Sequence, residues 1–235
     1  MPAKRHPTKA QARSAPARSS GARKPTARQP LSPERIVQAA LELVDAQGLA
    51  QLSTRRIGQR LGCEAMSIYH HFPSKAHLFD AMVDHAIASV EPAPAHLDAF
   101  ERLRFMCYAY RAMAHRFPAL YPLVAVHRLN TPTGVRYIDS IIATIREIEP
   151  DPERAARQFR AIGYYLTGAN LDETSGYAKG PSAAEPVSDA YVVEHCKALI
   201  AAAPYFQRQH WDATFEYGLQ AMMASFAADV ATRAG

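Results

Sequence analysis

The chain has 235 residues, 48% of them hydrophobic and 21% charged, a length and balance that suit one or two globular domains with a sizeable core. No apolar run is long enough to cross a bilayer, no N-terminal hydrophobic segment reads as a secretory signal, and a cytoplasmic location with no membrane partner is expected. Three cysteines without a C-x-x-C pairing, Cys63, Cys107 and Cys196, argue against a disulfide framework and a zinc ribbon.

The net charge of +5 is unevenly placed: residues 1–30 carry eight Lys and Arg and no acid, while 19 basic and 22 acidic side chains leave the remainder at −3. Rich in Pro, Ala, Ser and Arg, this tail reads as a disordered basic arm that follows DNA phosphates in a salt-dependent way.

After the arm, Ser32-Pro33-Glu34 is a helix start, with Ser at the N-cap, Pro in the first turn and an acid facing the positive end of the dipole. Ile36, Ala40 and Val44, with Val37, Leu41 and Leu43, form the apolar stripe of a first helix, which Gly48 is expected to close in a left-handed conformation. The segment 52–75, LSTRRIGQRLGCEAMSIYHHFPSK, follows. Ser53 caps a short helix whose Ile57 and Leu61 share one face, leaving Arg55, Arg56 and Arg60 to point outward. Gly62 breaks it, and a third helix begins near Cys63 or Glu64 with Ile68 inward and Ala65, Met66, Ser67, Tyr69, His70 and His71 outward. Two short helices around a Gly-containing turn are the pattern of a helix-turn-helix. Ser74 then caps a fourth helix to about Val90, whose wide apolar stripe exceeds what a three-helix head needs.

Glu91-Pro92-Ala93-Pro94 is a breaker and a domain boundary. Beyond it every segment reads as helix: Leu97 to Phe117, Leu120 to about Leu129, Gly134 to Ile148, Pro152 to Asp172, Ser188 to Ala203, and His210 to the C-terminus. The isoleucines of 138–145 recur at spacings of three and four, which favours helix over strand. Residues 175–187 read as a polar loop. The last two helices carry apolar stripes, Val192, Val193, Cys196, Leu199 and Ile200 on one and Trp211 through Val230 on the other, more than one bundle face can cover, which points to a homodimer.

The block 52–75, the preceding IVQAALELVDAQGL and the following LFDAMVDHAIASV together resemble the DNA-binding head of the tetracycline-repressor (TetR) family over about residues 32–90. The resemblance implies an all-α protein: an N-terminal three-helix helix-turn-helix head with its connecting helix over 31–90, and a C-terminal helical ligand-binding and dimerisation domain over 95–235. It also implies a regulator, most often a repressor, that binds a palindromic double-stranded DNA operator as a dimer joined through its last two helices and is released by a small-molecule effector. Carried over by position, Thr54, Arg55, Ala65, Met66, Ser67, Tyr69, His70 and Lys75 match DNA-contacting positions. Their chemistry suits the role, as does that of His71: Thr54, Tyr69 and His71 can donate to phosphates, Lys75 brings charge to the backbone, Arg55 can bond phosphate or the guanine edge, and Ala65 and Met66 can press on thymine methyls.

For the effector, the expected site is an apolar pocket with a few polar groups, for which Tyr108, Tyr110, Met113, His127, Tyr164, Tyr165 and Asn170 are candidates. The segment YYLTGANLDET and the later FEYGLQAMMASFA resemble the tetracycline-binding branch in particular. That branch holds a metal-chelated drug partly through a His with a nearby Thr and an acidic residue, whose nearest matches are His127, Thr131 and Asp172. The His127 to Thr131 spacing departs by one residue and Tyr164 stands where a His is expected, so a different small apolar ligand is anticipated, with no metal and no cofactor. His70 and His71, adjacent on a helix, point about 100° apart and do not favour a shared ion. No Glu-x-x-His pair, phosphate loop or nucleophile elbow is present, which leaves an architectural DNA binder, rather than an enzyme, as the competing reading.

Overall fold

The computed structural model describes residues 30–175 and 183–234, among which there are eleven α-helices and no strand. Most of the basic arm and residues 176–182 of the polar loop lie outside the described residues. The head comprises α1 (Pro33–Gln47), a short 3-10 turn, α2 (Thr54–Leu61), α3 (Ala65–Tyr69) and α4 (Lys75–Ala88). Its helix starts are set locally: the hydroxyls of Ser32, Ser53 and Ser74 accept the backbone N–H of Arg35, Arg56 and His77, so three of the four helices carry the same N-cap. The apolar stripe predicted for α1 is buried, and Ile57, Ile68, Leu78 and Met82 complete a small core with it.

Gly62 ends α2 in the left-handed region at φ 69° and ψ 33°, as the turn requires. Gly48 departs from expectation, since its φ of 81° is positive but its ψ of 159° takes the chain out extended rather than in a left-handed turn. The extended exit leads directly into the 3-10 turn Leu49–Gln51.

The second half holds α5 (Ala99–Arg116), α6 (Tyr121–Val126), α7 (Pro132–Ile148), α8 (Pro152–Ser175), α9 (Asp189–His195), α10 (Lys197–Ala202) and α11 (Trp211–Ala234). A reciprocal Asp98–Glu101 capping box starts α5. Its core joins Leu103 and Cys107 of α5, Ile145 and Ile148 of α7, Ala155, Ile162 and Leu166 of α8, and Phe215, Leu219 and Phe226 of α11. Two expected helices come out differently. The one starting at Leu120 stops at Val126 rather than Leu129, because His127 turns to the extended region and Leu129 takes a φ of 51° while its N–H bonds the His127 ring. The one from Ser188 to Ala203 breaks at Cys196, at φ −118° and ψ 51°, into α9 and α10. Neither piece buries a side chain, so no packed face holds the two in one continuous rod.

An ion network fastens the start of α11. Arg111 of α5 donates two bonds to Glu173 of α8, at 2.7 and 2.9 Å, and pairs with Asp212 of α11 at 2.8 Å. His115 reaches the same Glu173 at 2.6 Å, and the Arg111 guanidinium lies 4.5 Å from the Phe215 ring centroid. In contrast, Gln158 of α8 is buried with neither end of its amide partnered among the described residues.

Candidate functional site

Two regions of the molecule carry the residues singled out by the sequence. On the head, Met66 is 63% and Tyr69 41% exposed, while Ile68 between them is fully buried, so the five-residue α3 is anchored by one side chain and offers the others to solvent. Arg55, His70 and Lys75 are also exposed, and Thr54, Ala65, Ser67 and His71 are half-buried. The Met66 side chain therefore does not turn inward as packing. The Thr54 hydroxyl lies 3.5 Å from the Tyr69 hydroxyl, which brings the start of α2 beside the end of α3. At the start of α4 the Lys75 ammonium sits 5.1 Å from the Phe79 ring centroid.

Arg56 and Arg60 do not simply point outward. Arg60 Nε donates to Glu42 of α1 at 2.8 Å and Arg56 bonds Gln47, so both tie α2 back to α1. The Gln38 amide and Arg60 guanidinium, bonded to the Glu42 carboxylate, hold it below the usual carboxylate range. Among the described residues, Arg55 is the α2 arginine without such a tie to α1. A residue that sequence reasoning missed is Gly58: a methyl group there would lie 2.7 Å from the Cys63 carbonyl oxygen, so only glycine lets α2 approach the turn this closely. The visible signal was a glycine inside a helical pattern, a residue that costs helix stability unless close packing requires it.

In the second half a cavity of about 790 Å³ opens between α5, α7, α8 and the 124–129 segment. Tyr110, His127, Ile141, Phe159, Gly163 and Tyr164 are among its lining residues, giving an apolar chamber with a few polar groups. Burial pushes the Tyr110 and Tyr137 phenols well above their ordinary range, so both stay neutral. The Tyr110 and Tyr137 rings stack at an interplanar angle of 16°. Behind the wall at Leu166, Asn170 donates to the Tyr121 hydroxyl at 3.4 Å and keeps an unpartnered carbonyl oxygen among the described residues.

Of the nine ligand candidates, Tyr110, His127 and Tyr164 line this cavity. Tyr164, 66% exposed, accepts from Arg160 at 3.1 Å at the margin. The other six go elsewhere. Tyr108 bonds Glu216 and Tyr165 bonds the Phe215 carbonyl, both fastening α11. Met113 is buried core, and Asn170 is fully buried against Tyr121. Thr131 caps α7 and donates to Asp84, and Asp172 is half-buried, its carboxyl raised by burial and then by neighbouring Glu173.

The two regions meet at α4. The His127 Nδ1 accepts the Leu129 N–H at 3.1 Å, which leaves Nε2–H to donate to Asp80 of α4 at 3.0 Å. One turn later Asp84 accepts the Thr131 hydroxyl. A helix beginning at Lys75 is thereby bonded, through one face, to a segment that walls the cavity. Among the described residues no cluster of three or more His, Cys, Asp or Glu is placed to hold a metal, and no helix is long and apolar enough to cross a membrane.

An exposed helix-turn-helix joined by one connecting helix to an all-α domain with a cavity is the architecture of a DNA-binding regulator. Comparison with known proteins agrees: residues 36–82 match "Bacterial regulatory proteins, tetR family" and residues 91–230 match "Tetracyclin repressor-like, C-terminal domain". The chain belongs to the TetR family of transcription regulators, which are not enzymes. It is 32% identical over 143 residues to the HTH-type transcriptional repressor DrrR1 of Streptomyces coeruleorubidus, a match covering 59% of this chain and 53% of that relative. It is 26% identical over 200 residues to the tetracycline repressor protein class A from transposon 1721 of Escherichia coli, covering 84% and 91% of the two chains. Among solved structures, the TetR family protein ActR of Streptomyces coelicolor in complex with (S)-DNPA superposes with a TM-score of 0.67 at 25% identity, covering 86% of this chain and 100% of that one.

Proposed function

We propose that this protein represses transcription by binding a palindromic DNA operator as a homodimer and that a small, largely apolar effector in the 790 Å³ cavity releases it. The observation that carries the reading is the bonded face of α4, where Asp80 and Asp84 hold His127 and Thr131. An occupant that displaces His127 acts on the helix whose other end presents Lys75. An effector works only through its different affinity for two arrangements, and this contact gives it one to distinguish. The ligand-bound ActR relative supports the same reading.

On the head, Thr54, Tyr69, His71 and Lys75 serve the phosphates. Arg55, Ala65, Met66, Ser67 and His70 meet the base edges, with Arg55 free to bond either. The division into a basic arm over 1–30, a head over 31–90 and an effector domain over 95–235 belongs to the same proposal. So does dimerisation through the C-terminal helices, which is supported by the exposed Val193, Leu199, Ile200 and Phe206 and by Tyr217 of α11 at 79% exposure. A palindrome requires two recognition helices about 34 Å apart, so the dimer is part of the reading mechanism.

Selection of bound sequences from random DNA, followed by titration of the enriched site at fixed salt, tests the proposal. Tyr69→Ala and Lys75→Ala should weaken binding to every sequence, whereas Arg55→Ala and Ser67→Ala should change sequence preference. Removal of residues 1–30 should lower the salt dependence. Unchanged operator affinity in all four variants rejects the assignment of the head. Retained affinity at saturating concentrations of a molecule shown to occupy the cavity rejects release by the effector and favours an architectural role.

A further inference from the structure

The charge around the effector cavity is one-sided. Arg128, in the turn after α6, and Arg160 of α8 both line it, and the lining contains no Asp or Glu. Both arginines are exposed, whereas Tyr110, Ile141, Phe159 and Leu166 are half-buried or buried, so the two guanidiniums stand at the margin of an apolar interior. The nearby carboxylates are engaged or turned away. Asp80 is bonded to His127 and Asp84 to Thr131, while Asp139 of α7 and Asp172 of α8 stand on walling helices without lining the cavity. Glu153 shares a shallow outer surface of α8 with Arg160 and Tyr164, but its partner is Arg157. Among the described residues, no carboxylate pairs with Arg128 or Arg160.

Arg160 donates to the Tyr164 hydroxyl at 3.1 Å, with its guanidinium carbon 4.8 Å from that ring's centroid. A guanidinium has five N–H donors, and a phenol brings no countercharge, so most of its capacity is left over. The charge that selects an effector resides in these two arginines. Both His127 ring nitrogens are engaged, by the Leu129 N–H and by Asp80, and the Tyr110 and Tyr137 phenols stay neutral. A planar guanidinium matches a carboxylate through two parallel N–H···O bonds. We infer that the effector is an amphipathic carboxylate, with its aromatic or alicyclic body in the chamber and its anionic head on Arg128 and Arg160 at the margin. This deepens the proposed function and rests on the cavity being the effector site. Arg128 lies between His127, bonded to α4, and Leu129, held at a φ of 51°, so a head group drawn onto Arg128 bears on the turn that grips Asp80.

Calorimetry on the full-length protein without DNA compares 2-naphthoate with 2-naphthamide, which has the same rings and a neutral head. Exposed charge contacts are individually weak, so each arginine should favour the anion about threefold and the pair roughly tenfold. High salt should shrink that preference. Arg128→Gln and Arg160→Gln should each lower the ratio about threefold and the double variant should bring it to about one, while Arg136→Gln, at an exposed α7 arginine outside the lining, should leave it unchanged. Arg128 has no bonded partner to lose among the described residues, so its replacement reads charge rather than packing. The methyl resonances of Val126 and Ile138 place the probes, and Gly163→Phe, where a side chain meets open space, should abolish binding of both. Equal affinity for the two probes overturns the carboxylate head, as does an equal fall in Arg136→Gln or no binding of 2-naphthoate at millimolar concentration. Binding of both probes that Gly163→Phe leaves unchanged, with no shift at Val126 or Ile138, removes the effector cavity itself, an outcome distinct from loss of the anion preference.

Discussion

The head and the effector half solve the same folding problem with different means. In the head, short helices are fixed by signals a few residues away: a serine at each of three starts, a left-handed glycine at the turn, and one inward isoleucine in α3. In the effector half, long helices are held by partners far apart in sequence, such as Arg111 with Glu173 and Asp212, while a chamber and a Gln158 amide with no partner among the described residues are left inside. Local signals give a surface that keeps its shape. Distant ones leave the slack that a binding cavity requires, at some cost in stability.

If that contrast is right, the largest single loss should come from the distant network. Arg111→Ala leaves the buried Glu173 carboxylate without its bidentate partner and should cost about 3–5 kcal/mol in urea unfolding. Ile68→Ala removes the one buried anchor of α3 and should cost about 2–4 kcal/mol, with operator binding lost in proportion. A loss well under 1 kcal/mol would mean that α3 is held by something other than this side chain. Gln158→Leu should move the other way, raising stability by about 1–2 kcal/mol, because it replaces an unsatisfied amide with an apolar group of similar size. No gain would show that the amide is satisfied in solution and that the effector half is tighter than its geometry implies. Ser53→Ala, removing a single N-cap, should cost about 1 kcal/mol and should lower the start of α2 without disturbing α5 to α8.

The same contrast explains what the sequence made legible. Capping serines, Gly62 and the periodic apolar faces are local, and they located α1 to α4 to within a residue or two at most ends. The exposure of Met66 and Tyr69 followed from the inward position of Ile68. Gly58 was missed because its role is a distance to the Cys63 carbonyl, and spacing along one helix says nothing about a neighbour's backbone. The ligand candidates scattered for a related reason: an aromatic on an amphipathic helix can face a chamber, as Tyr110 does, or fasten another helix, as Tyr108 and Tyr165 do, and both are equally apolar in sequence. The break at Cys196 was likewise invisible, since α9 and α10 have the pattern of one amphipathic helix but no packed face to keep it whole.

The 14 residues of α4 make a rigid rod of roughly 21 Å, gripped near its middle at Asp80 and Asp84 and carrying Lys75 at its tip. A pivot of about 5° at Asp84 swings that tip by ~1 Å over the roughly 13 Å between them, as helical rise dictates. Hydrogen bonds hold only within about 2.7–3.2 Å, so under the proposed function a side-chain rearrangement too small to alter the fold is geared up into a shift that breaks a Lys75 contact with phosphate.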